Sequence, residues 1–284
     1  MNNTFNLNRF GKLLAMDGRK YFRNFGITLA ILSGLTLVLW LLTIIFDFHM
    51  VAFVRFTVIY LAVFLAIIMV PAKAFGDINL PREGVRFAIL PASNLEKYLS
   101  YAIFCLLTPV LVLLGSWALD SLLTLLPFGG FDRYITHWGF RHVFLDFISE
   151  IGALNDVGVV SDFNGDIQKF LSTFGPGYSY AIILSLIFNV GLFMFGNLLF
   201  KTHKTGKTLA VMIGVSYVLT LFMQFFMLSR GIFPWMTEGN TSSMNIDTIT
   251  DFTRGMMSFS NILHTIVTVG LYIGIFFKLK TQKY

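Results

Sequence analysis

The chain has 284 residues, of which 56% are apolar and only 13% charged, with a mean hydropathy of +0.73. Ordinary soluble proteins are about 25% charged, and so few charges do not cover a soluble surface of this size. The same composition excludes disorder, coiled coil and collagen, and the single cysteine, Cys105, excludes a disulfide scaffold.

A spanning helix needs about 20 mostly apolar residues. Six stretches qualify: Ile27 to Phe46, Val51 to Pro71, Tyr98 to Leu126, Tyr180 to Phe200, Leu209 to Leu228 and Phe259 to Phe277. Their apolar runs are continuous and do not alternate as barrel strands do. The fold expected is an all-α, polytopic transmembrane helical bundle. The 32 phenylalanines lie along these runs and not in a basic patch, which suits lipid contact and argues against nucleic acid as a partner.

Residues 1–26 precede the first run, which is too long for the apolar region of a cleavable signal and is read as a retained helix. Within them Phe10, Leu13, Leu14, Tyr21, Phe22 and Phe25 alternate with Arg9, Lys12, Arg19, Lys20 and Arg23. This pattern predicts a basic amphipathic helix lying along the inner headgroups, separate from the transmembrane unit of residues 27–284. In the second run Arg55 sits one turn from the end, where its side chain reaches the outer interface by snorkelling. Asp120, near the outer end of the third run, is either solvated or paired with Arg55.

The polar loop of residues 73–97 separates the second and third runs and contains Pro81 and Pro91. Ser93 followed by Glu96 has the spacing of a capping box, so a capped helix should run from here into the third span. A stiff turn leading into such a helix is a lever on the membrane bundle.

After the third run comes a loop of about 53 residues, 127–179. It holds an amphipathic stretch around Phe140, Phe144 and Phe147, and a short helix predicted from Asp166 to Phe174 and stopped by Gly175-Pro176-Gly177. In the fourth run Asn189 and Asn197 share a face with Ser185, and Gln224 of the fifth is a partner for them. They read either as polar glue between helices or as a substrate-facing stripe. Residues 229–258 form a second long loop, and His264 lies inside the last run, either a functional group or a neutral histidine bonded across helices.

Chemistry is sparse. Lys204-Thr205-Gly206-Lys207-Thr208 ends like a phosphate-binding loop, but Lys201 stands where the first glycine belongs and a membrane span precedes it. His137 and His142 lack the helical spacing and the cysteines of a zinc site. The spans show no paired carboxylates at their centres, and the sequence shows no Ser-His-Asp arrangement that can be placed and no dinucleotide loop. No catalytic residue, metal or cofactor is expected, and the chain is not read as an enzyme.

Orientation comes from the loops. Residues 1–26, 73–97, 201–207 and the C-terminal tail hold 15 basic residues and four acids, whereas the opposite segments hold six and 11. Both termini are therefore expected in the cytoplasm, with six crossings and loops 127–179 and 229–258 outside.

Leu90-Pro91-Ala92-Ser93-Asn94-Leu95-Glu96-Lys97-Tyr98-Leu99-Ser100 resembles the segment between the second and third spans of bacterial type-2 ABC exporter permeases, particularly those of Bacteroidota. The six-span layout and the basic N-terminal helix are similar too. The resemblance implies a permease in the bacterial inner membrane, working as a homo- or heterodimer of permease chains with a separate ATP-binding subunit. Loop 73–97, with Pro91, Ser93, Glu96 and Lys97, would be the coupling contact. The long outer loop of residues 127–179 departs from that family's pattern and leaves room for an extracytoplasmic protein partner. The alternative is a non-transporting scaffold that binds its partner through the outer loops.

Overall fold

A computed structural model of the chain describes residues 5–47, 52–79, 83–126, 160–229 and 246–281, without the side chains of 52, 53, 79, 83, 86, 88, 160–179, 219, 220, 222–229, 246–254 and 256. Every regular element among the described residues is helical, as continuous apolar runs in lipid require, because each backbone polar group must find its partner within the segment. The helices are α1 (Leu7–Ser33), α2 (Leu35–Phe46), α3 (Ala52–Phe75), α4 (Glu83–Ile89), α5 (Asn94–Thr124), α6 (Val160–Leu199), α7 (Lys204–Ser229) and α8 (Ile246–Thr281). A 3-10 turn, Gly76–Asn79, follows α3.

Five stretches are long and apolar enough to cross a bilayer: Leu7–Phe46, Val54–Ile78, Asn94–Thr124, Tyr180–Leu199 and Met257–Thr281. The chain is a multi-pass helical membrane protein. The remaining expected span falls in α7, a helix of 26 residues.

Helix ends meet in a consistent way. Arg9 at the start of α1 touches Glu96 at the start of α5, and Asn197 near the end of α6 bonds Phe75 at the end of α3. Lys204, opening α7, reaches Gly76, and Phe276 near the end of α8 packs on Tyr98. Successive long helices thus alternate in direction, and one end of the bundle gathers these contacts; we call it the basic end.

The basic N-terminal helix is not a separate interfacial element. It continues without a break to Ser33, and the only interruption before Phe46 is at Gly34, whose N–H still bonds Ala30 O at 2.9 Å. Leu13, Asp17, Tyr21 and Phe25, spaced by four, form its buried face. That face packs on α5 and α3 instead of on headgroups: Tyr21 stacks on Phe104, with ring centroids 5.2 Å apart, and its hydroxyl meets Thr108 Oγ1 at 2.8 Å. At about 1.5 Å per residue, the 40 residues from Leu7 to Phe46 measure about 60 Å, twice the hydrocarbon thickness. The basic half of α1 therefore stands out beyond the apolar layer.

Two other boundaries differ from expectation. The short helix predicted over Asp166–Phe174 is part of α6, which runs through Gly175-Pro176-Gly177. Pro176 lacks the N–H that would bond the preceding turn, yet the helix continues through it. The second long loop is shorter than expected, because α8 already begins at Ile246. The amphipathic stretch around Phe140, with His137 and His142, lies outside the described residues.

Small residues set two close crossings. A Cβ on Gly191 would lie 2.8 Å from the Tyr272 ring, and one on Gly196 would overlap Thr208 Oγ1 and come within 2.8 Å of Thr208 Cβ. Glycine is what allows α6 to approach α8 and α7 so closely.

Candidate functional site

Among the described residues, the basic end gathers most of the charged side chains that pair or bond between helices. Ser93 caps α5: its Oγ accepts from Glu96 N at 3.2 Å, and Glu96 Oε2 accepts from Ser93 N at 2.8 Å, completing the capping box read from sequence. The structure adds a second use for the same carboxylate. Glu96 Oε1 accepts from Asn6 N at 2.8 Å and from Arg9 Nη2 at 2.7 Å, and Oε2 accepts from Arg9 Nε at 2.8 Å. Asn6 is in turn the N-cap of α1, its Oδ1 accepting from Asn8 N and Arg9 N. One fully buried carboxylate (0% exposed) therefore ties the first turn of α1 to the first turn of α5. Its negative charge also sits where the α5 dipole favours it.

This changes the role of the coupling residues. Glu96 and Lys97 are buried, Lys97 lying with Nζ 5.4 Å from the Phe87 ring, so neither presents its charge to an outside surface. Loop 73–97 instead exposes Pro91 and an apolar ridge of Val85, Ile89 and Leu95, with Ile89 70% exposed.

Beside the latch lies a cleft of about 1180 Å³ between α1, the end of α3 and the start of α7. Among the described residues six cations line it, Lys12, Arg19, Lys20, Arg23, Lys73 and Lys204, against two carboxylates, Asp17 and Asp77. Asp77 pairs with Lys20, and Asp17 accepts from Ser100 Oγ at 2.6 Å. Lys73 donates to Thr28 Oγ1 at 3.0 Å and Lys204 to the Gly76 carbonyl. Burial pushes the Lys204 ammonium below the usual lysine range, with Asp77 acting against that shift. Among the described residues, Lys12, Arg19 and Arg23 have no carboxylate partner and stand exposed on one wall.

The intramembrane polar residues do not form one site. Arg55 is buried (0% exposed) and does not snorkel; its Nη1 lies 3.9 Å from Asp120 Oδ1, also buried, so the pairing alternative holds. Asn197 Nδ2 donates to Phe75 O and to Tyr101 Oη, both at 3.2 Å, joining α6 to α3 and α5. Asn189 turns back on its own helix, bonding Ser185 O at 2.8 Å. The two asparagines thus act separately, one as interhelical glue. Half-buried His264 meets the Phe188 ring edge-on at 4.7 Å. The Gln224 side chain lies outside the described residues.

Asp17 and Tyr101 were not singled out as site residues in the sequence, and Tyr21 was read only as part of the apolar face of the N-terminal helix. The available signal for Asp17 was its register: it is the one acid on the four-residue stripe that α1 buries. No group of three or more potential metal ligands occurs among the described residues.

No protein-family model, curated protein or solved structure matches the chain.

Proposed function

We propose that the chain is the transmembrane permease subunit of an ABC-type exporter in a bacterial inner membrane. In this reading the helices make six spans, both termini are cytoplasmic and the basic end faces a separate ATP-binding subunit. The observation that carries it is the Glu96 latch. A partner pressing on the exposed ridge of Val85, Ile89 and Pro91 acts on a segment leading directly into α5. The start of α5 is fixed to the start of α1 by three hydrogen bonds to one carboxylate, which also caps α5, so the two helices move as one body. Contact at the ridge is thereby converted into displacement of helices that cross the membrane.

Affinity purification of the full chain from its native membrane, with mass spectrometry of what accompanies it, tests the reading. The expected result is a stoichiometric ATP-binding protein that is lost from the Ile89→Asp variant. Recovery of the chain with an extracytoplasmic protein and no ATPase overturns the reading in favour of the scaffold.

A further inference from the structure

The cleft at the basic end is built in a way that the exporter reading does not use. Three of its cations occur where the apolar runs stop: Arg23 is one turn before Ile27, Lys73 two residues after Pro71, and Lys204 five before Leu209. These three stand at the edge of the apolar layer, where bilayer phosphates lie, with Arg19 one turn and Lys12 about three turns further out along α1. Among the described residues six cations face two carboxylates, a formal surplus of four positive charges. Asp77 is engaged with Lys20 and Asp17 with Ser100, so the internal acids leave Lys12, Arg19 and Arg23 uncompensated among the described residues.

The space is open as well as charged. A Cβ added at Gly76 would meet no atom within 4 Å. Its volume, about 1180 Å³, exceeds what a headgroup with two phosphates needs. On the same helix as the free cations, Phe22 (56% exposed) and Ile27 (77% exposed) offer an apolar surface along which acyl chains can lie.

We propose that this cleft is a binding site for an acidic phospholipid bearing two or more negative charges, its phosphates held by Lys12, Arg19 and Arg23 on one wall and by Lys73 and Lys204 on the other. Arginine supplies paired donors that match phosphate oxygens, and lysine supplies mobile point charges. Basic pockets between membrane helices recognise such headgroups by this chemistry. The bound lipid would bridge α1, α3 and α7 at the end where the latch lies. The proposal stands independently of the exporter reading, since it needs no ATP-binding partner.

The test uses the purified full chain in dodecyl maltoside, titrated with cardiolipin, phosphatidylcholine or pyrophosphate, with retained ligand read by native mass spectrometry and stability by thermal unfolding. Cardiolipin is expected to raise the unfolding midpoint and to remain bound one to one, and phosphatidylcholine to do neither. Substituting Lys12→Gln, Arg19→Gln and Arg23→Gln together should weaken cardiolipin by at least about tenfold, while Lys278→Gln with Lys280→Gln leaves it unchanged. Arg19→Gln and Arg23→Gln are also read singly, each expected to weaken binding by about threefold, so the outcome does not depend on the triple variant folding. Equal binding of phosphatidylcholine, or unchanged cardiolipin affinity in the triple and single variants, overturns the site. A pyrophosphate shift matching that of cardiolipin, lost in the same variants, overturns the lipid assignment in favour of a soluble phosphate ligand.

Discussion

Replacing Gly196 with Ala sets two effects of opposite sign against each other. In an isolated helix the change is favourable by up to about 1 kcal/mol, because alanine loses less backbone freedom. At the crossing of α6 and α7 the new Cβ would come within 2.6 Å of Thr208 Cγ2 and 2.8 Å of its Cβ. Carbon atoms rest about 3.5–4.0 Å apart, so the helices must separate by about 1 Å. Rotation of Thr208 gives no easy relief, because its Oγ1 is bonded to Lys204 O at 2.8 Å. Overpacking of this kind costs about 1–3 kcal/mol, and contacts this short, with Thr208 Oγ1 overlapped outright, put Gly196 toward the upper end, so after the propensity gain a net loss of about 2 kcal/mol is left. The midpoint of thermal unfolding in detergent should fall, and Thr208→Gly in the same chain should recover the part due to the clash. A Gly196→Ala variant more stable than the parent, or a loss that Thr208→Gly does not relieve, would refute the close crossing. The variant should also draw Lys204 back from the cleft, which cardiolipin affinity reads separately.

Glu96→Ala removes the acceptor shared by Asn6 N, Ser93 N and Arg9, so limited trypsin digestion should cleave at Arg9 and Lys12 in the variant while the parent resists; Glu96→Asp should remain partly protected. Asp120→Asn leaves Arg55 buried without its carboxylate, and loss of one partner of a buried pair costs about 3 kcal/mol. Replacing both with Arg55→Met and Asp120→Leu should restore most of the melting temperature. Cys105 is fully buried, so a thiol-reactive fluorophore should stay dark on the folded chain and report unfolding on heating. Labelling at room temperature without loss of structure would contradict the packing of α5 against its neighbours.

The helices were legible because their signal is local. Apolar runs of spanning length need no tertiary information, and the Ser93–Glu96 box is a three-residue spacing that either meets the backbone or does not. What the sequence hid were choices among partners. The amphipathic face of α1 suited headgroups and a protein core equally, and the decision rested on Ser100, Thr108 and Phe104 of α5, some 80 residues away. Depth favoured a snorkelling Arg55 and left its pairing with Asp120 as an alternative, since nothing local said that α5 brings Asp120 to 3.9 Å. The continuation of α6 through Gly175-Pro176-Gly177 was missed for a different reason: glycine and proline are the least favourable residues in a helix interior, so local propensity alone ends a helix there.

The latch and the cleft share one helix, and this gives the basic end its logic. One stripe of α1 is spent on internal contacts: Leu13, Asp17, Tyr21 and Phe25 are buried, and Arg9 is committed to Glu96. The neighbouring stripe, Lys12, Arg19 and Arg23, points into the cleft without carboxylate partners among the described residues. Pairing these three internally would have stabilised the fold more, yet would have left nothing for an anion to neutralise. An anion in the cleft instead acts on α1, α3 and α7 together, while Glu96 passes any movement of α1 to α5. If α1 and α5 move as one body, a ligand in the cleft that holds α1 must resist motion imposed at the Val85–Ile89 ridge. Lipid occupancy and partner-driven displacement are then coupled through a single carboxylate, and severing Glu96 should make each insensitive to the other.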